Sequence, residues 1–244
     1  DGDDYILNGT KRYITNAPFA KIGLIMARTS AEPLPRNAHV SAFLIDMDAP
    51  GVSLGSPDKK MGQRGAQIAD IILEDVRVPA RALLGGEEGR GFFAAMQALD
   101  SGRLSVGAAA LGLAERALET GLRYAMERKA FGEPIAQFQL IQAMLADSKA
   151  EIYASECMML DACARSERGR ASLEASAFKM FATEMCGRVV DRVVQIHGGA
   201  GYLAEYEAER LFRDARIYRI YEGTTQIQQL VIAKQMIRDF AARS

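Results

Sequence analysis

The feature that constrains this sequence most is a change of hydrophobic period at Leu84-Gly85-Gly86. Between Asp4 and Leu84 the apolar residues come in short stretches broken by turn formers, the pattern of strands. Tyr5–Leu7 and Arg12–Thr15 flank Asn8-Gly9, a pair that tolerates positive φ at both positions and so predicts a two-residue hairpin. Ile22–Ala27, Val40–Ile45 and Ile68–Leu73 predict further strands, separated by Pro33, Pro35, Pro50, Gly51, Pro57, Gly62 and Gly65. Strands at this spacing predict a small antiparallel β-barrel or sandwich.

Beyond the break the period becomes helical and stays so. Leu104, Ala108, Leu111, Ala114, Leu118, Leu122 and Ala125 recur every three or four residues and give a long helix one apolar face. Phe138, Ile141, Leu145, Ile152 and Met159 mark a second helix, and Leu173, Ala177, Met180, Phe181, Met185, Val189 and Val193 a third. A last one runs from about Thr225 to Phe240 through Ile227, Leu230, Val231, Lys234 and Ile237. Long helices with short connections predict an antiparallel four-helix bundle. The expected class is α+β, with a strand domain over 1–85 and a helical domain over 86–244.

Thirty basic against thirty-one acidic residues leave a net charge of -1, without the positive field that non-specific nucleic-acid binding requires. No nucleic-acid partner is expected. Cys157, Cys163 and Cys186 fall in helical segments without metal-ligand spacing, so neither disulfides nor a metal site are expected, and a reducing compartment fits. No apolar run approaches the roughly 20 residues that cross a bilayer, and no membrane span is expected. The opening Asp1-Gly2-Asp3-Asp4 has no Met and leads straight into strand pattern, which reads as a chain with residues missing upstream, any targeting signal among them.

The residues that suggest chemistry lie where the helical pattern breaks. Between the third and last helices, Glu222 sits beside Gly223 at the foot of a helix capped by Thr224 or Thr225. A glycine there permits close approach of the backbone to a ligand, and first-turn amides favour an anion or a polarised carbonyl. A carboxylate desolvated between Ile220, Tyr221 and a flat cofactor would be raised towards neutrality, where a general base works best. The alternative is that Glu222 merely complements a helix dipole. His197-Gly198-Gly199-Ala200-Gly201 brings bare backbone N–H groups to a turn that is otherwise a helix C-cap, with no strand before it for a dinucleotide-binding βαβ unit. His197 alone reads as a packed or exposed histidine. Arg128 and Phe131, at the end of the long helix, offer a planar cationic fork for phosphate and a ring for stacking; a cation at a helix C-terminus also suits the dipole.

RKAFG, QFQ, QIHGGAGY and RDARIYRIYEGTTQIQ, in this order and at these separations, resemble the acyl-CoA dehydrogenase family. YITNA resembles its flavin-facing motif, KMGQRGAQIADIILEDVRVP the end of its middle domain, and LDSGRLSVGAAALGLAERAL its first bundle helix. The resemblance covers essentially the whole chain, while the family's amino-terminal helical domain and the first part of its β domain have no counterpart here. Where the family usually has Trp in the flavin-facing motif, this chain has Tyr13.

The resemblance implies FAD bound at a subunit interface and α,β-dehydrogenation of an acyl-CoA thioester to the trans-2-enoyl thioester, with Glu222 as the base. It places Tyr13, Ile14 and Thr15 along the flavin, Arg128 and Phe131 at the pyrophosphate and adenine, and Gln139 as a further cofactor contact. Gln195, Gly198 and Gly199 would reach the adenosine part of FAD in a neighbouring subunit, and Thr224 and Gln226 would touch the cofactor from the helix start. Asp100, Arg103 and Gly223 would face the substrate, although Asp100 and Arg103 alone read as an intrahelical ion pair. The enolate oxygen would be held by the Glu222 N–H and a ribityl hydroxyl. Some family members carry the base near the position of Gly102, where glycine cannot serve. The resemblance further implies a homodimer or homotetramer, electron-transferring flavoprotein as electron acceptor, a role in fatty acid metabolism, and a bacterial cytoplasmic or mitochondrial matrix location. Rival readings are an acyl-CoA oxidase or related flavin oxidase or monooxygenase of the same fold, and a truncated, non-catalytic assembly module.

Overall fold

The computed structural model describes residues 4–32, 39–169 and 171–243; Pro33, Pro35 and the first three residues lie outside the described residues. Two compact units divide the chain, Asp1–Ala98 and Leu99–Ser244.

The first unit is built on strands. β1 (Asp4–Thr15) pairs antiparallel with β5 (Ile68–Pro79), whose other edge carries β4 (Val52–Leu54), and β2 (Ile22–Arg28) pairs antiparallel with β3 (Val40–Asp46) in a second sheet. Inward-facing residues alternate with outward ones, as the pleat requires: Ala69, Ile71 and Leu73 are buried on β5, and so are Val76 and Val78 after a one-residue slip. They close on Leu7, Ile25, Phe43 and Ile45 to form one core, with Tyr5 set edge-on to Phe43 at 4.9 Å.

The hairpin expected at Asn8-Gly9 does not form. β1 runs straight through, and the pair instead produces a shift in register between Leu7 and Gly9. The tolerance of Asn and Gly for unusual backbone is used for a bulge, with Gly9 at φ 136. The Asn8 amide donates to Asp75 Oδ1 at 3.0 Å and accepts from the Asp75 N–H at 2.8 Å, fastening the bulge to the slip on β5. A twelve-residue partner strand outcompetes a local turn because it satisfies the whole edge of β1.

The second unit is a helical bundle. α1 (Gly91–Glu127), α2 (Gln139–Arg168), α3 (Ser172–His197) and α5 (Thr225–Ala241) are the long helices, and α4 (Glu207–Ala215) is a short one inside the segment read from sequence as a connector. Only residues 169–171 separate α2 from α3, and the two pack together, so they run antiparallel. α3 is the central helix, burying Met185, Val189, Val190 and Val193 against Ala110, Leu111, Ala114 and Ala117 of α1 and Ile152 of α2. Small residues on α1 let α3 approach closely; a Cβ at Gly107 would collide with the Phe178 ring. α1 begins at Gly91, upstream of the apolar stripe that starts at Leu104. Among the described residues no helix is long and apolar enough to cross a membrane, and no group of three or more His, Cys, Asp or Glu side chains is placed to hold a metal ion.

Candidate active site

Glu222 lies in the short turn between a 3-10 segment (Arg216–Arg219) and α5. It has φ 53, and Gly223 follows at φ 88, so two successive residues occupy the left-handed region. For a residue with a Cβ that conformation costs about 1–2 kcal/mol and persists only where its surroundings enforce it.

The enforcement is visible at both ends. Glu184 of α3 pairs with Arg219 at 3.1 Å through one carboxylate oxygen and accepts from Thr225 Oγ at 2.8 Å through the other, so a single side chain ties the entry and exit of the turn. Arg219 reaches Glu184 by crossing α3 at Gly187, where any Cβ would strike the guanidinium. Thr224 is the N-cap of α5, its hydroxyl accepting from the Ile227 N–H at 3.3 Å. In the middle, Lys179 of α3 donates to the Gly223 carbonyl at 2.7 Å, and Gln228 of α5 donates to the carbonyls of Glu222 and Gly223 at 3.1 Å each. Lys179 and Gln228 have no exposed surface.

The turn aims the carboxylate at α1. A Cβ on Gly102 would fall inside contact distance of Glu222 Oε2, so glycine is the residue that leaves room for it. The Glu222 side chain is half-buried, and its backbone N–H donates to no carbonyl among the described residues. Burial pushes the Lys179 ammonium down to about 8, with the charges of Glu222 and Glu184 working against that and Arg103 adding to it.

On either side of Gly102 on α1, Asp100 and Arg103 form the intrahelical pair at 2.7 Å. The pair is more than a surface contact, since Arg103 is buried, Ser172 donates to Asp100 at 2.7 Å and Arg103 reaches Ser176 at 3.4 Å. Arg103 Nε has no partner among the described residues.

The cofactor candidates form two groups in the helical unit. Arg128 is exposed just beyond α1, followed by a miniature hairpin of β6 (Lys129–Ala130) and β7 (Glu133–Pro134) with Phe131 and Gly132 at its tip. Phe131 is 98% exposed, with Phe138 edge-on at 6.0 Å, and Gln139 opens α2 as an exposed residue. Gln195, Gly198 and Gly199 are exposed at the end of α3, where Gly198 caps the helix at φ 57 and neither glycine has a neighbour that a Cβ would meet. Between the groups the buried His197 stacks on Tyr124 of α1 at 4.1 Å, its Nδ1 2.8 Å from the Val193 carbonyl, which makes it a packing residue. Gln226 is exposed in the first turn of α5. In the strand unit Tyr13 is 63% exposed at φ 57 in a second bulge of β1, its N–H donating to Asp70 at 3.2 Å; Thr15 is exposed and Ile14 packs on the core. Within the helical unit, the exposed guanidinium of Arg128 and the exposed ring of Phe131 are groups able to meet a phosphate and a flat aromatic ligand.

Sequence reasoning did not single out Lys179, Gln228 or Glu184. Lysine within an otherwise apolar helix face was the available signal, and it is legible only when the position is known to be buried.

The chain matches the family models for the acyl-CoA dehydrogenase middle domain over residues 1–76 and the acyl-CoA dehydrogenase C-terminal domain over residues 89–237. It is 45% identical over 239 residues to a Bacillus subtilis (strain 168) protein named "Probable acyl-CoA dehydrogenase YngJ", covering 98% of this chain and 62% of that protein. It is 43% identical over 238 residues to the caffeyl-CoA reductase-Etf complex subunit CarC of Acetobacterium woodii, covering 97% and 62%. Among solved structures, an acyl-CoA dehydrogenase complexed with FAD from Bacillus anthracis superposes with a TM-score of 0.89 at 38% identity, covering 99% of this chain and 44% of that one. The chain spans about three fifths of the length of the two curated relatives. With two family models in sequence order and a fold to match, the chain belongs to the acyl-CoA dehydrogenase family, a family of flavin-dependent oxidoreductases, and comprises its middle and C-terminal domains.

Proposed function

We propose that this chain carries the catalytic base and much of the flavin site of an acyl-CoA dehydrogenase, with Glu222 removing the α-proton of an acyl-CoA thioester. The observation that carries the proposal is the clamped left-handed turn that holds the Glu222 carboxylate against α1 at Gly102, where a Cβ would displace it. A half-buried carboxylate fixed at the cost of backbone strain is what general-base catalysis needs and what a dipole-complementing glutamate does not.

An α-proton of a thioester is a very weak acid, so proton removal requires fixed donors on the developing enolate oxygen. The Glu222 N–H, which donates to no carbonyl among the described residues, would supply one such donor. Bound FAD supplies the acceptor for the β-hydrogen and its electron pair. The remaining tasks belong to the chain: Glu222 takes the α-proton, the turn keeps it in line, and half-burial limits competing water. Arg128 and Phe131 would hold the pyrophosphate and adenine side of FAD, with Gln139 beside them; Gln195, Gly198 and Gly199 would meet the adenosine of a neighbouring subunit's FAD in a dimer or tetramer. Thr224 and Gln226 would approach from the start of α5, and Tyr13 and Thr15 would line the ring, with Ile14 contributing backbone. Asp100 and Arg103 would face the CoA-bearing side. Residues 1–85 would then serve as the flavin-facing part and 86–244 as the base-bearing, assembling part, with an electron-transferring flavoprotein as partner, as the name of the Acetobacterium woodii relative indicates for that protein.

The test is an anaerobic titration of the native gene product with a panel of acyl-CoA thioesters of different chain length, read as bleaching of the flavin absorbance. Bleaching by at least one saturated thioester, with the enoyl product found by mass spectrometry, is the expected result. A yellow protein that no thioester bleaches overturns the proposal, and rapid reoxidation in air with release of peroxide reassigns it to an oxidase.

A further inference from the structure

The Glu222–Gly223 turn presents two carbonyl oxygens to the interior of the bundle, and three hydrogen bonds from two side chains meet them. Lys179 Nζ gives one, to Gly223 at 2.7 Å, and Gln228 Nε2 divides between Glu222 and Gly223 at 3.1 Å each. Lys179 comes from the third turn of α3 and Gln228 from the first turns of α5, so side chains from two different helices hold the turn. Both side chains are completely buried. A lysine is rarely placed so, because an ammonium removed from water is costly without compensation. Here the compensation is local: the Gly223 carbonyl as acceptor, and the carboxylates of Glu222 and Glu184 as countercharges, opposed by Arg103 from α1.

The fit is tight in the other direction as well. A Cβ at Gly223 would lie 2.6 Å from Gln228 Nε2, so the glycine is needed for the glutamine to reach the carbonyls. Gln228 Oε1 has no partner among the described residues, so the amide is held by what its nitrogen donates. Glu184 with Arg219 and Thr225 explains why the turn begins and ends where it does; it does not explain why residues 222 and 223 stay left-handed in between. Relaxation of Glu222 to the right-handed region would rotate both carbonyls away from their donors and carry the carboxylate off Gly102.

Resting on the reading of Glu222 as the base, we propose that Lys179 and Gln228 are a pair of positioning residues that lock the Glu222–Gly223 turn in its left-handed form and thereby set the carboxylate in line with the substrate α-carbon. Neither touches the reacting atoms. They act on the rate of proton removal and leave thioester binding to other surfaces. At neutral pH most Lys179 side chains carry the charge that makes the bond to Gly223 a strong one.

The experiment isolates proton removal from the redox step. Acetyl-CoA has α-hydrogens and no β-carbon, so its exchange into D2O, followed by mass spectrometry and expressed per bound flavin, reports the base alone. Alongside it, kcat and KM are measured with the best acyl-CoA from the bleaching screen. For Lys179→Met and Gln228→Met, exchange and kcat are expected to fall roughly ten- to hundredfold, the loss that a base displaced by about an ångström brings. KM should stay within about threefold, and Lys179→Arg should recover part of the loss. Glu222→Gln serves as the control for the reading on which the pair depends: exchange at the wild-type rate by that variant removes the base assignment and the pair with it. If Glu222→Gln is inert while both methionine variants exchange normally, or lose kcat and KM affinity in equal measure, the positioning role is overturned and the base assignment stands. Should Lys179→Met fail to yield flavin-loaded protein, Gln228→Met decides by the same criteria.

Discussion

Two turns in the helical unit use the same backbone device to opposite ends. At Phe131-Gly132 a residue with a side chain at φ 51 is followed by glycine at φ 93; at Glu222-Gly223 the values are 53 and 88. The first is the tip of a two-residue hairpin, where paired positive φ angles match the twist of the flanking strands and the strain is relieved locally. Phe131 is left 98% exposed. The second has no flanking strands, and its conformation is imposed from a distance by buried side chains on α3 and α5. A left-handed turn can thus put a side chain out into solvent or hold it against the protein, and what decides is whether its carbonyls face solvent or buried donors.

The sharpest way to break this contrast is at the Glu222 carboxylate itself. Glu222→Gln keeps the shape and the backbone donors and removes the basicity. FAD binding should be retained, and substrate-driven bleaching should slow by roughly 10²–10⁴-fold, the usual contribution of a general base. Stopped-flow bleaching at a rate close to wild type would leave the turn as a structural ornament like its counterpart at Phe131.

A second substitution acts from the opposite wall. Gly102→Ala adds a methyl group that Glu222 Oε2 already excludes, so the carboxylate has to move while α1 gains about 1 kcal/mol in helix propensity. The expected signature is divergence: thermal stability unchanged or raised, kcat lowered roughly ten- to hundredfold. Equal activity in the alanine variant, measured with saturating thioester, would mean that the carboxylate does not work from this position.

The contrast also explains what could be read before the fold was known. The strand-to-helix change at Leu84-Gly85-Gly86, the apolar stripes of α1, α2, α3 and α5, and the order of the motifs were legible because periodicity and spacing are local. The hairpin forecast at Asn8-Gly9 failed because a long-range partner, β5, claimed the same backbone for a bulge. α4 was missed because it is only nine residues long and buries only Ala208, Leu211 and Ala215, between glycine-rich and aromatic segments. Glu222 was legible by its neighbours in sequence; Lys179, Gln228 and Glu184 were not, because each is tied to the turn across more than one helix or from a face that composition cannot orient.

Phe131 gives the complementary test. Its ring makes little contact with its own chain, so Phe131→Ala should change the stability of the flavin-free protein by less than about 0.5 kcal/mol. If the turn presents the ring to FAD, the dissociation constant for FAD should rise by roughly five- to tenfold, about 1–1.4 kcal/mol of lost stacking. Fluorescence titration of the apoprotein with FAD checks this. An unchanged constant would leave the exposed turn without a ligand role, and the two turns would then differ only in burial.

The smallest expected effect probes whether the clamp on Glu222 is as dry as its geometry implies. Lys179 falls from 10.5 in the unfolded chain to about 8 in the fold, chiefly through burial. Below about pH 8 both states are protonated and the fold bears the full cost of the buried charge. Between about 8 and 10.5 the folded chain has released the proton while the unfolded chain keeps it, so the unfolded state binds more protons and stability rises with pH. Lys179→Met lacks this contribution, and groups that titrate alike in both proteins cancel in the comparison. The stability of wild type relative to the variant should therefore increase by about 1 kcal/mol between pH 8 and pH 9, measured by urea unfolding of the two flavin-free proteins side by side. A flat difference would mean that water reaches the Lys179 ammonium, in which case the carbonyls of the Glu222 turn are solvated like those at Phe131 and the left-handed backbone is held by Glu184, Arg219 and Thr225 alone.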